Sequence, residues 1–200
     1  MKLRFAPASP FVRKIRIAAA VLGLTDRIAH VGADLTADDE LRIQNPLGKI
    51  PVLILDDGRT LFDSRVIVEY LDHVAGGGRI LPKDADRRFA ALRLQALCDG
   101  ILDASVLRVY EARYRPEAMQ HQPWLDMQAG KVARGLAAIE AEPPAIDAVP
   151  DVGQIALACT LGYQDLRFKG EWRAKHPALV AWLERFAAQV PAFAATKAEA

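Results

Sequence analysis

Three consecutive glycines, Gly76-Gly77-Gly78, divide the sequence into two stretches of different texture. Before them, short apolar runs alternate with breakers. Lys2 to Phe5 reads as a strand. Ser9-Pro10 reads as a helix N-cap with proline in the first turn, where its missing N–H costs nothing. That helix runs to Leu22, and Gly23 stops it. Ile28 to Val31 makes a second strand, so the opening unit is strand, helix, strand, with the strands parallel. A shorter helix is predicted at Thr36 to Ile43. The breaker-rich loop Asn45-Pro46-Leu47-Gly48-Lys49-Ile50-Pro51 comes next. Val52 to Leu55 and Thr60 to Phe62 then flank Asp56-Asp57-Gly58-Arg59 as a hairpin. Asp63-Ser64 opens another helix, with Val66, Ile67, Tyr70, Leu71 and Val74 at helical spacing. The order is β-α-β-(α)-β-β-α, an α/β unit with a mixed four-stranded sheet.

After Asp84 nearly every stretch reads as helix. Spans are predicted at Asp86 to Tyr114, Trp124 to Glu142, Asp151 to Arg167 and His176 to Val190. The third opens with a capping-box variant, Asp151-x-x-Gln154, and is apolar on nearly all sides, which makes it the central helix of a bundle. The predicted organisation is a thioredoxin-like domain over 1–76, a linker over 77–85 and an all-helical domain over 86–200.

Composition narrows the function classes. The chain is 52% hydrophobic and 26% charged, with a net charge of +1. Nucleic acid or an anionic membrane would call for clustered Lys and Arg, so neither is expected as a partner. The basic residues near the first helix read as a solvated face. Cys98 and Cys159 lie apart in apolar, helix-like stretches and read as small core hydrophobes. His30, His73, His121 and His176 are scattered without metal-ligand spacing and read as surface or capping residues, so no metal is expected. The run Ile17 to Leu24 lacks the flanks of a signal peptide, and no apolar run reaches membrane-span length. The expected location is cytoplasmic.

Four local patterns could carry chemistry, and each has a plain structural reading beside it. Ser9 is a favoured helix cap. Ile50-Pro51 alone reads as a turn with a trans peptide. Asp63-Ser64 is an N-cap, yet a helix N-terminus also binds carboxylates. Asp99, Asp103, Val106, Tyr110 and Tyr114 share one helix face, by itself a mixed surface stripe.

A thioredoxin-like unit followed by an all-helical domain resembles the glutathione S-transferase superfamily over essentially the whole chain. The most specific features are Ser9-Pro10-Phe11-Val12-Arg13-Lys14, Asn45-Pro46-Leu47-Gly48-Lys49-Ile50-Pro51-Val52-Leu53, Asp63-Ser64 and Asp99-Gly100-Ile101-Leu102-Asp103. The set looks most like small bacterial members. The resemblance implies that glutathione is the co-substrate, held by Ser9, Phe11, Lys49, Ile50, Pro51, Asp63, Ser64 and Asp103. It implies that Ser9 donates to the glutathione sulfur, that Ile50-Pro51 is cis and that Ile50 pairs with the tripeptide backbone. Asp63 and Ser64 would take the γ-glutamyl ammonium and carboxylate, with Lys49 on the glycyl carboxylate. Asp103 would reach across a homodimer towards the γ-glutamyl amine. Ala8, Tyr110, Arg113 and Tyr114 would line the site of a small hydrophobic electrophile.

The energetics suit a serine. A free thiol titrates near 8.5, and making it mostly thiolate at neutral pH needs a shift of about two units, or about 2.7 kcal/mol. A hydrogen bond to a charged group contributes about 1.5–3 kcal/mol, and a helix N-terminus about 0.3–1. Together these suffice without a dedicated base. No cysteine lies at or beside Ser9, which argues against thiol-transferase or dehydroascorbate-reductase activity, and the longer Ser- and Cys-containing motif of the maleylacetoacetate isomerase branch is missing. The expected function is thus a detoxifying glutathione transferase. The alternative is a non-catalytic glutathione-binding or regulatory protein with the same fold.

Overall fold

A computed structural model describes residues 1–198. The first half is an α/β layer. Strands β1 (Lys2–Phe5), β2 (Ala29–Gly32), β3 (Val52–Ile54) and β4 (Thr60–Phe62) form one sheet in the order β2-β1-β3-β4. β1 pairs parallel with β2, while β1–β3 and β3–β4 are antiparallel, giving the mixed sheet expected. Leu3 and Leu53 face each other at its centre and are fully buried.

Helix α1 (Pro10–Leu22) forms where the sequence places it. Ser9 caps it, Pro10 opens it, and Gly23 ends it at φ 73°, the left-handed conformation that glycine adopts without penalty. Its apolar positions Val12, Ile15, Ala19 and Leu22 turn inward. Helix α3 (Ser64–Val74) packs beside it through Ile67, Val68 and Leu71.

Helix α2 (Asp39–Gln44) starts later than its predicted Thr36. The cause is local: the Asp34 carboxylate accepts from both the N–H and the hydroxyl of Thr36, a turn that competes with helix. Asp38 then caps the helix by accepting from the Leu41 N–H, and it also receives the buried Arg4 guanidinium from β1.

The second half is helical: α4 (Ala85–Tyr114), α5 (Gln122–Ala141), α6 (Val152–Phe168), α7 (Pro177–Gln189) and α8 (Ala192–Ala195). α6 is the central helix, with every residue from Val152 to Leu161 buried. Its cap makes only half of the predicted box. Asp151 accepts from the Gln154 N–H, but the Gln154 side chain turns to Asp147 instead of back to the cap. Both cysteines are buried, and burial pushes their thiols well up from the ordinary value. No helix among the described residues is long and apolar enough to cross a membrane.

The seam between the halves corrects two expectations. Arg13 and Lys14 are not a solvated face: both are buried between α1 and the helical half. The Arg13 guanidinium donates to the Phe193 carbonyl at 2.6 Å and to the Thr196 hydroxyl at 3.3 Å, and it lies 4.1 Å from the Phe193 ring. Gly162 of α6 leaves the space that Arg13 fills. Helix α8, which sequence reading did not foresee, is thereby fastened to α1. His176 is also buried, its Nδ1 2.7 Å from the Trp172 carbonyl, and its side chain does not cap α7.

Helices α4 and α6 approach closely because Gly153 lacks a side chain. A Cβ there would sit 2.6 Å from the Ala91 carbonyl oxygen and 2.9 Å from the Leu94 Cβ. Gly153→Ala should therefore destabilise the protein by about 1–3 kcal/mol through overpacking. At Gly130 in α5 a Cβ meets only the end of the exposed Arg134 side chain, at 3.1 Å. Gly130→Ala should stabilise by about 0.5–1 kcal/mol, the helix-propensity gain. Urea denaturation of both variants measures the contrast.

Candidate functional site

The first turn of α1, the loop before β3 and the first turn of α3 converge beside α4. Ser9 lies half-buried at the start of α1, and its Oγ accepts from the Val12 N–H at 3.3 Å. The hydroxyl hydrogen has no protein acceptor among the described residues. Phe11, half-buried, lies with its ring centre 5.9 Å from the Lys14 ammonium. Ala8 is half-buried on the same turn.

The loop from Asn45 to Pro51 is held from within. Asn45 is buried; its amide donates to the Lys49 carbonyl at 2.8 Å and its side-chain oxygen accepts from the Leu47 N–H at 3.1 Å. Lys49 is consequently presented outward and exposed. The Ile50–Pro51 peptide is cis, against the trans reading of the dipeptide alone. No turn or loop hydrogen bond among the described residues uses the Ile50 N–H.

Asp63 adopts φ 67°, ψ 128°, a conformation that costs a non-glycine residue about 1–3 kcal/mol. That geometry swings its carboxylate over the start of α3, where it accepts from the Arg65 N–H at 2.9 Å and pairs with the Arg65 guanidinium at 2.8 Å. The Arg65 hydrogen bond, outweighing burial, holds the Asp63 carboxyl below the usual carboxylate range. Ser64 is buried at the first position of the helix.

Behind these groups lies a charge cluster that sequence reading did not assign. Lys14, 0% exposed, donates to both carboxylate oxygens of Asp99 at 2.7 and 2.9 Å. The Arg65 Nε stands 3.9 Å from Asp99. Burial pushes the Asp99 carboxyl above its ordinary value, against the opposing pull of Lys14 and Arg65. Asp103, one turn further along α4, is exposed at the mouth. Burial and the neighbouring Asp99 raise its pKa, while Lys49 and Arg65 oppose the shift. The mixed stripe read from the α4 spacing was the available signal for Asp99; Lys14 stood in the motif that opens α1 but was read as part of a solvated basic face.

Tyr110 and Tyr114 meet edge to face at 5.3 Å, and the Arg113 guanidinium lies 5.7 Å from the Tyr110 ring centre. The two tyrosines line a cavity of about 550 Å³ with Leu107, His121 and Trp124. All of its walls belong to the helical half, so Ala8 stands outside it, and Arg113, although on α4, does not line it.

Comparison with known proteins agrees with this geometry. Residues 8–74 match the family described as Glutathione S-transferase, N-terminal domain, and residues 122–185 match its C-terminal domain. The uncharacterized GST-like protein YibF of Escherichia coli K12 is 34% identical over 188 residues, 92% of each chain. A glutathione transferase family member of Pseudomonas fluorescens Pf-5, crystallised with bound glutathione, is 41% identical with a TM-score of 0.91, over 100% of this chain and 99% of that one. A glutathione S-transferase of Methylobacillus flagellatus, also with glutathione bound, is 38% identical with a TM-score of 0.89, over 100% and 99%.

The Lys14–Asp99 pair generates a stability prediction. Asp99→Asn leaves a buried ammonium without its counter-charge and should cost about 3–5 kcal/mol. The double variant Lys14→Met/Asp99→Leu removes both charges and should recover most of that loss. Chemical denaturation of the single and double variants closes the cycle.

Proposed function

The chain belongs to the glutathione S-transferase superfamily, and on that premise we propose that it activates the glutathione thiol at Ser9 for attack on small apolar electrophiles. The observation behind this reading is the Ser9 hydroxyl. Its oxygen accepts from a helix N–H, which leaves its proton for a thiolate sulfur at the positive end of α1. No cysteine stands beside it to form a mixed disulfide.

The remaining groups suit a zwitterionic tripeptide. The Ser64 N–H and hydroxyl bind the γ-glutamyl carboxylate at the α3 N-terminus, and Asp63 and Asp103 bind its ammonium. Ile50 pairs with the cysteinyl backbone as one more strand would, beside Pro51 and Phe11. Lys49 takes the glycyl carboxylate. The electrophile lies between Ala8 and the Tyr110, Arg113, Tyr114 wall. The protein works as a cytoplasmic homodimer in detoxification. Phe62, Val66 and Phe89 are 40%, 48% and 69% exposed on β4, α3 and α4, and these exposed apolar side chains support a two-fold interface. The second reading is a glutathione-binding regulator without turnover. It is favoured only by the cavity beside Tyr110, which has no wall from the first half.

Spectroscopic titration of the bound thiol separates the two. Ser9→Ala should raise its pKa by about one to two units, since one unit is about 1.36 kcal/mol. Conjugation near neutral pH should fall about tenfold or more with the thiolate population and partly recover at high pH. Loss of the cap should cost only about 1 kcal/mol of stability. Asp63→Asn should weaken glutathione binding by about 1.5–3 kcal/mol in calorimetry, with the fold intact. Identical titrations and equal turnover in wild type and Ser9→Ala would reduce Ser9 to a helix cap.

Sedimentation should give a dimer at micromolar concentration. A fully active monomer would remove both the interface and any part for Asp103 beyond its own chain.

A further inference from the structure

The C-terminal ends of α4 and α6 and the chain just beyond them carry several arginines, most of them already engaged. Arg115 pairs with Glu111 at 3.4 Å. Arg173 forks onto the Asp165 carboxylate. Arg108 lies 4.3 Å from the Phe168 ring, with Glu171 near enough to oppose the effect of burial on its pKa. Arg113 and Arg167 differ: neither forms an ion pair among the described residues.

Both act on Tyr163 of α6. Tyr163 is 5% exposed, and burial pushes its phenol above the ordinary value, with Arg167 and Arg113 opposing and Tyr110 adding to the shift. The hydroxyl therefore stays protonated and can donate. Arg113 in turn lies against the Tyr110 ring, so this group continues the wall assigned to the electrophile. The Arg167 side chain is half-buried, but its Nε is fully buried and has no hydrogen-bond partner among the described residues. A buried charged donor left unpaired is costly, and an acceptor brought by a ligand would remove that cost.

We infer that the electrophile attacked at Ser9 is an acid, whose carboxylate rests on Arg167, Arg113 and the Tyr163 hydroxyl while its reacting end lies against Ala8 and Tyr110. A planar guanidinium offers paired N–H donors that match a carboxylate. The inference rests on the reading of Ser9 and narrows the electrophile to one that is apolar at its reacting end and anionic at the other.

The test compares 4-(chloromethyl)benzoate with its neutral methyl ester, on the full chain with glutathione. In both, the thiolate sulfur bonds to the benzylic carbon as the C–Cl bond breaks, and chloride leaves with the electron pair. The acid should have the higher kcat/KM by about tenfold or more, the scale of one hydrogen bond to a charged group. Arg167→Gln should bring that ratio close to one, and Arg167→Lys, which keeps the charge without the fork, should restore part of it. Calorimetry with the products needs no turnover. S-(4-carboxybenzyl)glutathione should bind about tenfold or more tightly than S-benzylglutathione. Equal affinity for the two conjugates, or a ratio unchanged in Arg167→Gln, would overturn the acid preference and leave Ser9 in place. Tighter binding of the carboxylated conjugate with no turnover of either chloride would support the anion pocket and overturn the role of Ser9 instead.

Discussion

The ion pair between Lys14 and Asp99 is the constraint around which the rest is arranged. It joins two elements 85 residues apart in sequence, one in each half, and both partners are withdrawn from water. Such a pair gains little over two well-packed apolar groups. It is nonetheless costly to mispair, which makes it a device for register. α1 can seat against the helical half only where the ammonium finds both oxygens of Asp99. That seating fixes the height of Ser9 above α4 and the position of Asp99 relative to Arg65.

Three cations, Lys14, Lys49 and Arg65, balance three anions, Asp63, Asp99 and Asp103, with Lys14 and Asp99 buried behind the mouth and the others at it. The balance matters for a zwitterionic guest. An excess of either sign would favour one end of such a molecule and repel the other. Asp63 already lies against Arg65, so an ammonium bound there would share a carboxylate instead of meeting a bare one. Asp103 is the one acid of the three without a hydrogen-bond or ion-pair partner among the described residues, and burial and Asp99 raise its pKa.

What was legible in the sequence was largely what is local. Ser9, Asp63 and Asp151 each cap a helix as their residue types imply, and Gly23 stops α1 as expected. The succession of strands and helices in the first half followed from breakers and spacing, and family resemblance supplied the cis Ile50–Pro51 peptide. The late start of α2 has a local cause in the Asp34–Thr36 turn, but the larger misreadings depend on distant partners. A basic run such as Arg13-Lys14 looks solvated until a helix from the other half supplies Asp99 and a gap at Gly162. Helix α8 is a single turn, too short for periodicity to reveal, and it is held by Arg13 from 180 residues away. Gln154 had a local partner in the capping box, but Asp147 offered it both a donor and an acceptor.

The triple glycine that divides the sequence is not a slack joint. The buried Asp72 at the end of α3 gathers the N–H groups of Gly78, Arg79 and Ile80 at 2.7–2.9 Å, and the Ile80 carbonyl accepts from Val152 at the head of α6. The glycines supply positive φ so that the chain can curl around one carboxylate. A connector locked in this way cannot straighten to pass a half to a neighbouring copy, as exchange of domains between subunits requires. It also offers a protease no loose strand at the point where composition would suggest one. The two halves are therefore joined by a fixed connector, although the sequence there reads as a hinge.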